Sequence, residues 1–236
     1  NIAKLRQEGR MNEIEAIYIQ ALQGKEQTYG PDNPEILPAL QDLASIYIHW
    51  GSGNSKINQA IELLQRGLRI APEKSAAWRR VCEQLSTAWQ RKGNPEEGEK
   101  LLRKKLQLLE EEFGPDHPEV ASALLYLAAT VKSSRSREEI EMWTKRALEI
   151  RKKHFGLEHQ LTLRALSSTG MTAEEAGNYE EAEKIFLQTL EMREKVLGVD
   201  NSETISSLHL LGVFYEGRKN YTKAEEYYKK TLEARE

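Results

Sequence analysis

The sequence predicts an all-α fold, a solenoid of repeated helix–turn–helix units. Three observations predict it. The turn glycines Gly30, Gly114, Gly156 and Gly198 are spaced by 84, 42 and 42 residues, and position 72, where this comb lacks a glycine, holds Pro72 in another helix-stopping turn. The small residues Ala44, Ser86, Ala128, Gly170 and Gly212 recur at the same 42-residue interval. No segment carries the period-two alternation of a half-buried strand.

The elements follow in chain order. Residues 1–29 read as a partial unit, with Ile2 and Leu5 as the remnant of its first helix and Ile14 to Leu22 as its second. Five fuller units occupy about 30–71, 72–113, 114–155, 156–197 and 198–236, and the chain 1–236 is read as one repeat domain. In each unit the first helix, A, centres on the small residue. Four residues before it stand Leu40, Cys82, Leu124, Leu166 and Leu208; one before, Leu43, Leu85, Leu127, Thr169 and Leu211; three after, Tyr47, Trp89, Val131, Ala173 and Tyr215. Those offsets form one helical stripe, the core face. The second helix, B, is read at Ala60–Leu68, Gly98–Leu106, Ile140–Leu148, Ala182–Leu190 and Ala224–Leu232. Breakers or polar turns precede the B helices: Gly51-Ser52-Gly53-Asn54, Gly93-Asn94-Pro95, residues 133–136, Gly177-Asn178 and Lys219-Asn220. In the second unit the turn between the two helices gains four residues around Gly51 to Ser55 while the period from Ala44 to Ser86 stays 42, so the turn after its second helix is four residues shorter; this predicts a flexible loop at the first turn and a compact turn at Pro72.

Composition bounds the function. Lys and Arg total 34 against 37 Asp and Glu, a formal charge of −3, which leaves no electrostatic footprint for nucleic acid or anionic lipid. No apolar run is long enough to span a bilayer, so no membrane association is expected. Cys82 is the single cysteine and cannot form an internal disulfide, which points to a reducing, cytoplasmic setting. The chain begins at Asn1 and ends at Glu236 inside a helical pattern, so it is expected to be a segment of a longer protein.

The small residue at the eighth position of helix A, the Ala of helix B and the aromatic four residues after it (Gly212, Ala224 and Tyr228; Gly170, Ala182 and Phe186) resemble the tetratricopeptide repeat, or TPR. The 42-residue period and the linker Phe113-Gly114-Pro115-Asp116-His117-Pro118 resemble the repeats of kinesin light chain, nephrocystin-3 and the nucleotide-binding STAND proteins. That resemblance implies helix pairs stacked into a right-handed superhelical solenoid, a concave groove lined by helix A, and recognition of a protein or peptide. The paired asparagines with which kinesin light chains hold cargo have no counterpart: the aligned pairs are Gln41-Asp42, Glu83-Gln84, Leu125-Tyr126, Ser167-Ser168 and His209-Leu210.

Catalytic signatures do not emerge. There is no His-Glu-x-x-His, no phosphate-binding Gly-x-x-x-x-Gly-Lys-Ser/Thr and no Gly-x-Ser-x-Gly elbow. His117 and His159 share a turn register that suits a cap, and Cys82 occupies a slot held by leucine in four sister units, which suits a small core side chain. The expectation is a non-enzyme without metal or cofactor. The basic strings Trp78-Arg79-Arg80 and Arg103-Lys104-Lys105 read as solvated faces.

The expected partner surface is the helix-A stripe opposite the core. It comprises Gln41 and Asp42; Arg80, Glu83 and Gln84; Leu125 and Tyr126; Arg164, Ser168 and Met171; and His209, Leu210 and Val213. Its first half is polar and its second half more apolar, a pattern suited to an amphipathic helix or an extended peptide. Arg80 and Arg164 are the candidate contacts for anionic groups, since a guanidinium can hold a carboxylate through two donors. The leading expectation is the recognition or sensor arm of a larger multidomain protein. The alternative is a structural scaffold arm that self-associates through its uncapped ends.

Overall fold

A computed structural model describes residues 2–50, 53–131 and 137–235. Among the described residues there are twelve α-helices and no strand: α1 (Ile2–Gln7), α2 (Met11–Tyr29), α3 (Leu37–Trp50), α4 (Asn54–Ile70), α5 (Ala76–Lys92), α6 (Pro95–Phe113), α7 (Pro118–Thr130), α8 (Arg137–Phe155), α9 (Gln160–Glu175), α10 (Tyr179–Leu197), α11 (Ser202–Gly217) and α12 (Tyr221–Glu233). A short 3-10 turn, Pro34–Ile36, leads into α3. Odd-numbered helices from α3 are the A helices and even-numbered ones the B helices. The lengthened turn after α3 falls in part on residues 51–52, and the turn at 133–136 also lies outside the described residues.

The B helices run further than the sequence pattern indicated. α10 extends to Leu197 rather than Leu190, because nothing stops it before Gly198. Gly30, Gly114, Gly156 and Gly198 all stand at positive φ, between 80° and 89°, where only glycine is unstrained. At the remaining turn α4 ends at Ile70, Ser75 N–H donates to the Pro72 carbonyl at 3.0 Å, and Lys74 takes the positive φ, 69°. That is the compact turn expected at Pro72.

Each turn then starts the next A helix with a side-chain cap, on the same 42-residue comb. Asn33 accepts from Glu35 N–H at 2.9 Å, Ser75 from Trp78 N–H at 3.1 Å, and Asn201 from Glu203 N–H at 2.9 Å. His117 Nδ1 accepts from Glu119 N–H and His159 Nδ1 from Leu161 N–H, both at 3.2 Å. A donor otherwise orphaned in the first turn is thereby satisfied in every repeat.

Contacts divide the chain into two compact units, Asn1–Gly114 with Ala129–Ser134, and Pro115–Ala128 with Arg135–Glu236. In the first, α3 packs on α4, α4 on α5 and α5 on α6. Its core gathers Ile14, Leu40, Leu43, Ala44, Tyr47, Ala60, Leu64 and Leu85, with Ile2 and Leu5 of α1 packed on its edge. In the second, α8 packs on α9, α9 on α10, α10 on α11 and α11 on α12, around Phe186, Leu190, Leu211, Phe214 and Tyr215. Apart from half-buried Trp89, every residue of the predicted core stripe is buried.

The small residue exists because helix B crosses there. A Cβ on Gly170 would lie 2.6 Å from the Phe186 ring, and one on Gly212 would lie 2.5 Å from the Tyr228 ring. Where helix A carries Ala44 or Ser86 instead, helix B offers a leucine, Leu64 or Leu102, in place of the aromatic. In the Ser86 repeat helix B also presents Gly98, whose Cβ would meet Ser86 Oγ at 2.6 Å. Volume is exchanged between the two helices while close packing is kept.

Candidate functional site

In the first unit two clefts flank the outward stripe of α3. One, of about 510 Å3, is lined by Pro34, Glu35, Leu37, Pro38, Gln41, Pro72, Ser75, Ala76, Ala77 and Arg80. The other, of about 390 Å3, is lined by Arg6, Tyr18, Asp42, Ser45, Ile46, His49 and Trp50. Successive α3 positions therefore open on opposite sides: Pro38 and Gln41 on the first cleft, Asp42 and Ser45 on the second. Arg80 is exposed and has no ion-pair partner among the described residues. Beside it Gln41 is only 6% exposed, so it is not the open position expected from the helical stripe. The neighbouring A helix covers it: Gln84 of α5 donates to the Gln41 carbonyl at 3.5 Å. Gln41 Nε2 and Gln84 Oε1 are buried without a hydrogen-bond partner, a donor and an acceptor left over in the same place.

Glu83 is half-buried and takes a hydrogen bond from Lys105 of α6. Lys105 is itself 4% exposed, which corrects the reading of Arg103-Lys104-Lys105 as a wholly solvated string. Its ammonium enters because a carboxylate one helix away offsets the cost of leaving water.

In the second unit most of the apolar stripe is absorbed by packing. Leu125 rests against Leu148, Ala165 and Leu166, and Met171 and Leu210 against the cluster around Phe186 and Leu211. Tyr126 is half-buried, whereas Val213 is 47% exposed. His209 is exposed and its ring tilts over Tyr228 at 5.8 Å. Ser168 returns its hydroxyl to the Arg164 carbonyl at 3.1 Å. Arg164 is exposed, and both its Nε, at 2.9 Å, and a terminal nitrogen donate to Glu203 Oε1 of α11. That guanidinium holds the Glu203 carboxyl below the usual carboxylate range.

Arg151 and Arg193 belong to this region but were not singled out from the sequence. They are 42 residues apart, each four residues before the end of its helix, α8 or α10, and only 6% and 4% exposed. Arg151 donates to the Leu161 carbonyl at 2.6 Å and Arg193 to the Glu203 carbonyl at 3.0 Å. Each ties the end of a B helix to the start of the next A helix.

No group of three or more His, Cys, Asp or Glu side chains placed to hold a metal occurs among the described residues, and no described helix is long and apolar enough to cross a membrane. Cys82 is fully buried, and burial pushes its thiol up to about 12. Only a minute fraction is thiolate near neutral pH, which makes it a poor nucleophile.

The tetratricopeptide repeat profile matches residues 4–73, 83–153, 135–195 and 161–236. The chain belongs to the tetratricopeptide repeat family. Its repeats are those of a protein–protein interaction module. No curated protein sequence matches the chain. Among solved structures, the chain is similar to the nearly identical TPR-like repeats of a putative kinesin light chain from Podosopora anserina, at 19% identity and a TM-score of 0.66, covering 86% of this chain and 96% of that one. It is also similar to a STAND protein with a tetratricopeptide repeat sensor from Pyrococcus horikoshii, at 22% identity and a TM-score of 0.59, over 85% of this chain and 31% of that one. A third is a Rap protein complexed with Competence and Sporulation Factor, at 13% identity and a TM-score of 0.59, over 98% and 72%. At these identities the likeness is one of fold.

Proposed function

We propose that this TPR chain is a non-enzymatic recognition arm of a larger multidomain protein, and that it binds a peptide or an amphipathic helix on its A-helix faces. The observation that carries the reading is the pair of clefts bracketing α3. Their walls combine apolar surface from Pro34, Leu37, Pro38 and Trp50 with the unpaired cation Arg80 and the carboxylate Asp42. Such mixed walls suit a chain that presents side chains on both edges. In the second unit the open contacts are Arg164, His209 and Val213, with half-buried Tyr126 beside them. A Rap protein of similar fold complexed with a factor, and a STAND protein whose repeats are termed a sensor, support a recognition role. The near-neutral net charge of −3 and the lack, among the described residues, of a helix long and apolar enough to cross a membrane favour a protein ligand over nucleic acid or a bilayer, and the single cysteine suits the cytoplasmic setting expected from the sequence.

The test is affinity capture from the native cell extract with wild type beside an Asp42→Lys, Arg80→Glu double variant, whose fold circular dichroism checks. A protein kept by wild type and lost by the folded variant is the expected result. Equal retention by both rejects the α3 clefts as the contact surface.

A second reading is a scaffold arm that self-associates through its ends. It is favoured by Tyr221 and Leu232 of α12, which are 64% and 62% exposed. Light scattering that reports a monomer at every concentration contradicts it.

A further inference from the structure

The smaller of the two clefts beside α3, of about 390 Å3, is lined mainly by groups that suit a cation. Asp42, Ser45 and His49 share one face of α3, at i, i+3 and i+7. Asp42 is exposed and has no ion-pair partner among the described residues. His49 Nδ1 donates to the Ser45 carbonyl at 2.8 Å, so in the neutral ring Nε2 is left to accept. Trp50 and Tyr18 add aromatic rings, both half-buried and packed on the core of the unit. Among the described lining residues the one lysine or arginine is Arg6 of α1. It is exposed, it stands on a helix of six residues, and its guanidinium carbon lies 4.3 Å from the Trp50 ring centroid.

At four places in the chain a cation lies over an aromatic ring and also meets a carboxylate. Arg79 lies over Phe113 and pairs with Glu112 at 3.0 Å, and Arg218 lies over Tyr179 and pairs with Glu174 at 3.4 Å. Lys56 is held in the same way by Tyr47 and Glu15, and Lys223 by Tyr215 and Glu183. In the cleft the two halves of this arrangement are present but separate. Arg6 has the ring and no carboxylate, and Asp42 has the negative charge and no cation. A guanidinium that enters from outside finds both. Its plane stacks on Trp50, and its donors suit the acceptors of Asp42, Ser45 and His49. An ammonium has no flat face to stack and fewer donors. Arg6 is displaced at little cost, because an exposed cation on a ring is held weakly.

We infer that this cleft binds an arginine side chain of the partner peptide, between Trp50 and Asp42, and that Arg6 occupies the ring until the ligand arrives. The inference rests on the reading that the A-helix faces take a peptide, and it names one residue of that peptide.

The whole chain is titrated with a Gly–Ser decapeptide carrying one central arginine, and with counterparts carrying citrulline, lysine or glutamate there. Citrulline keeps the shape and loses the charge. The readout is the indole N–H NMR signals of the four tryptophans, with that of Trp50 assigned by its loss in Trp50→Phe. Expected is a saturable shift of the Trp50 signal with the arginine peptide. Affinity should fall at least roughly tenfold for citrulline and roughly tenfold in Asp42→Asn, the scale of one charge-assisted hydrogen bond. Arg6→Ala should bind roughly twofold to fivefold more tightly, the worth of an exposed cation–ring contact. Circular dichroism checks that both variants fold. No Trp50 shift in wild type or Arg6→Ala, equal binding of citrulline, or an unchanged affinity in Asp42→Asn overturns the site. Lysine binding more tightly than arginine overturns the choice of guanidinium, and a Trp50 shift with the glutamate peptide alone overturns the sign of the ligand. Unchanged or weaker binding in Arg6→Ala overturns the displacement. A natural partner lost by the Asp42→Lys, Arg80→Glu variant but kept by Asp42→Asn overturns this site while leaving the recognition role intact.

Discussion

Tyr215 donates its phenolic hydrogen to Glu183 at 2.6 Å, linking the A helix of the last repeat to the B helix of the one before. Lys223 completes the set, 3.1 Å from Glu183 and 4.6 Å from the Tyr215 ring centroid. The tyrosine and glutamate recur 168 residues earlier, where Tyr47 donates to Glu15 at 2.9 Å, and the lysine one register off, 167 residues earlier, where Lys56 both pairs with Glu15 and lies 4.6 Å from the Tyr47 ring centroid. In each case a polar contact sits at the edge of the seam between successive repeats, with the tyrosine ring in the core.

Desolvation, with the adjacent carboxylate second, pushes Tyr47 and Tyr215 up to about 12. A raised folded value favours the protonated form, so its contribution to stability is complete below about pH 10, the unfolded value, and is lost as pH rises toward 12. Ultraviolet titration of the nine tyrosines is expected to show these two ionising last, with unfolding setting in between about pH 10 and 12. Ionisation of all nine near pH 10 with the fold intact contradicts the seam geometry.

The carboxylates of the triads move the other way. Glu15 is held down chiefly by Lys56, and Glu183 chiefly by Tyr215. Depressed values give stability that is present above the unfolded carboxylate range, about pH 4.3, and lost as pH falls through the folded values. Glu183→Gln is therefore expected to destabilise the chain at neutral pH and to narrow its stability difference from wild type below pH 4, as denaturant midpoints would show.

Gly170 and Gly212 occupy the same position but should respond differently to alanine. The Phe186 ring that meets Gly170 is 2% exposed and cannot move aside, whereas the Tyr228 ring beside Gly212 is half-buried. Gly170→Ala is expected to cost about 1–3 kcal/mol through overpacking. Gly212→Ala should cost less, because the ring can swing and alanine gains about 1 kcal/mol of helix propensity. Thermal midpoints of the two variants check the order.

Removing a turn cap should cost about 1 kcal/mol wherever it is done on the comb. Asn201→Ala loses the bond to Glu203 N–H, and Ser75→Ala the bond to Trp78 N–H. Denaturant melts that show no loss in either would separate the caps from stability.

The repeat, its core stripe and its turns were legible because each is written five times over. A burial pattern of Leu, Leu, small and Tyr at one register leaves no other helix phase, and His117 and His159 announced their capping role by sharing the register of Asn33 and Asn201. The partner surface was less legible. Position Gln41 looks outward on an isolated helix, and only the arrival of α5 buries it; Leu125, Met171 and Leu210 are likewise claimed by neighbouring helices. A periodicity read along one helix does not contain the position of the next. Arg151 and Arg193 carried a signal, the same residue 42 positions apart in a B-helix end, but a search that follows apolar and turn residues passes over it. Their burial comes from tertiary packing.

The central claim is that the A helices carry recognition. Photo-crosslinking residues placed one at a time at positions 42 and 213, exposed on α3 and α11, and at 62 and 187, exposed on the B helices α4 and α10, test it directly in the native extract. The account predicts a partner joined to positions 42 and 213 and not to 62 or 187. A partner joined only to 62 or 187 would contradict it.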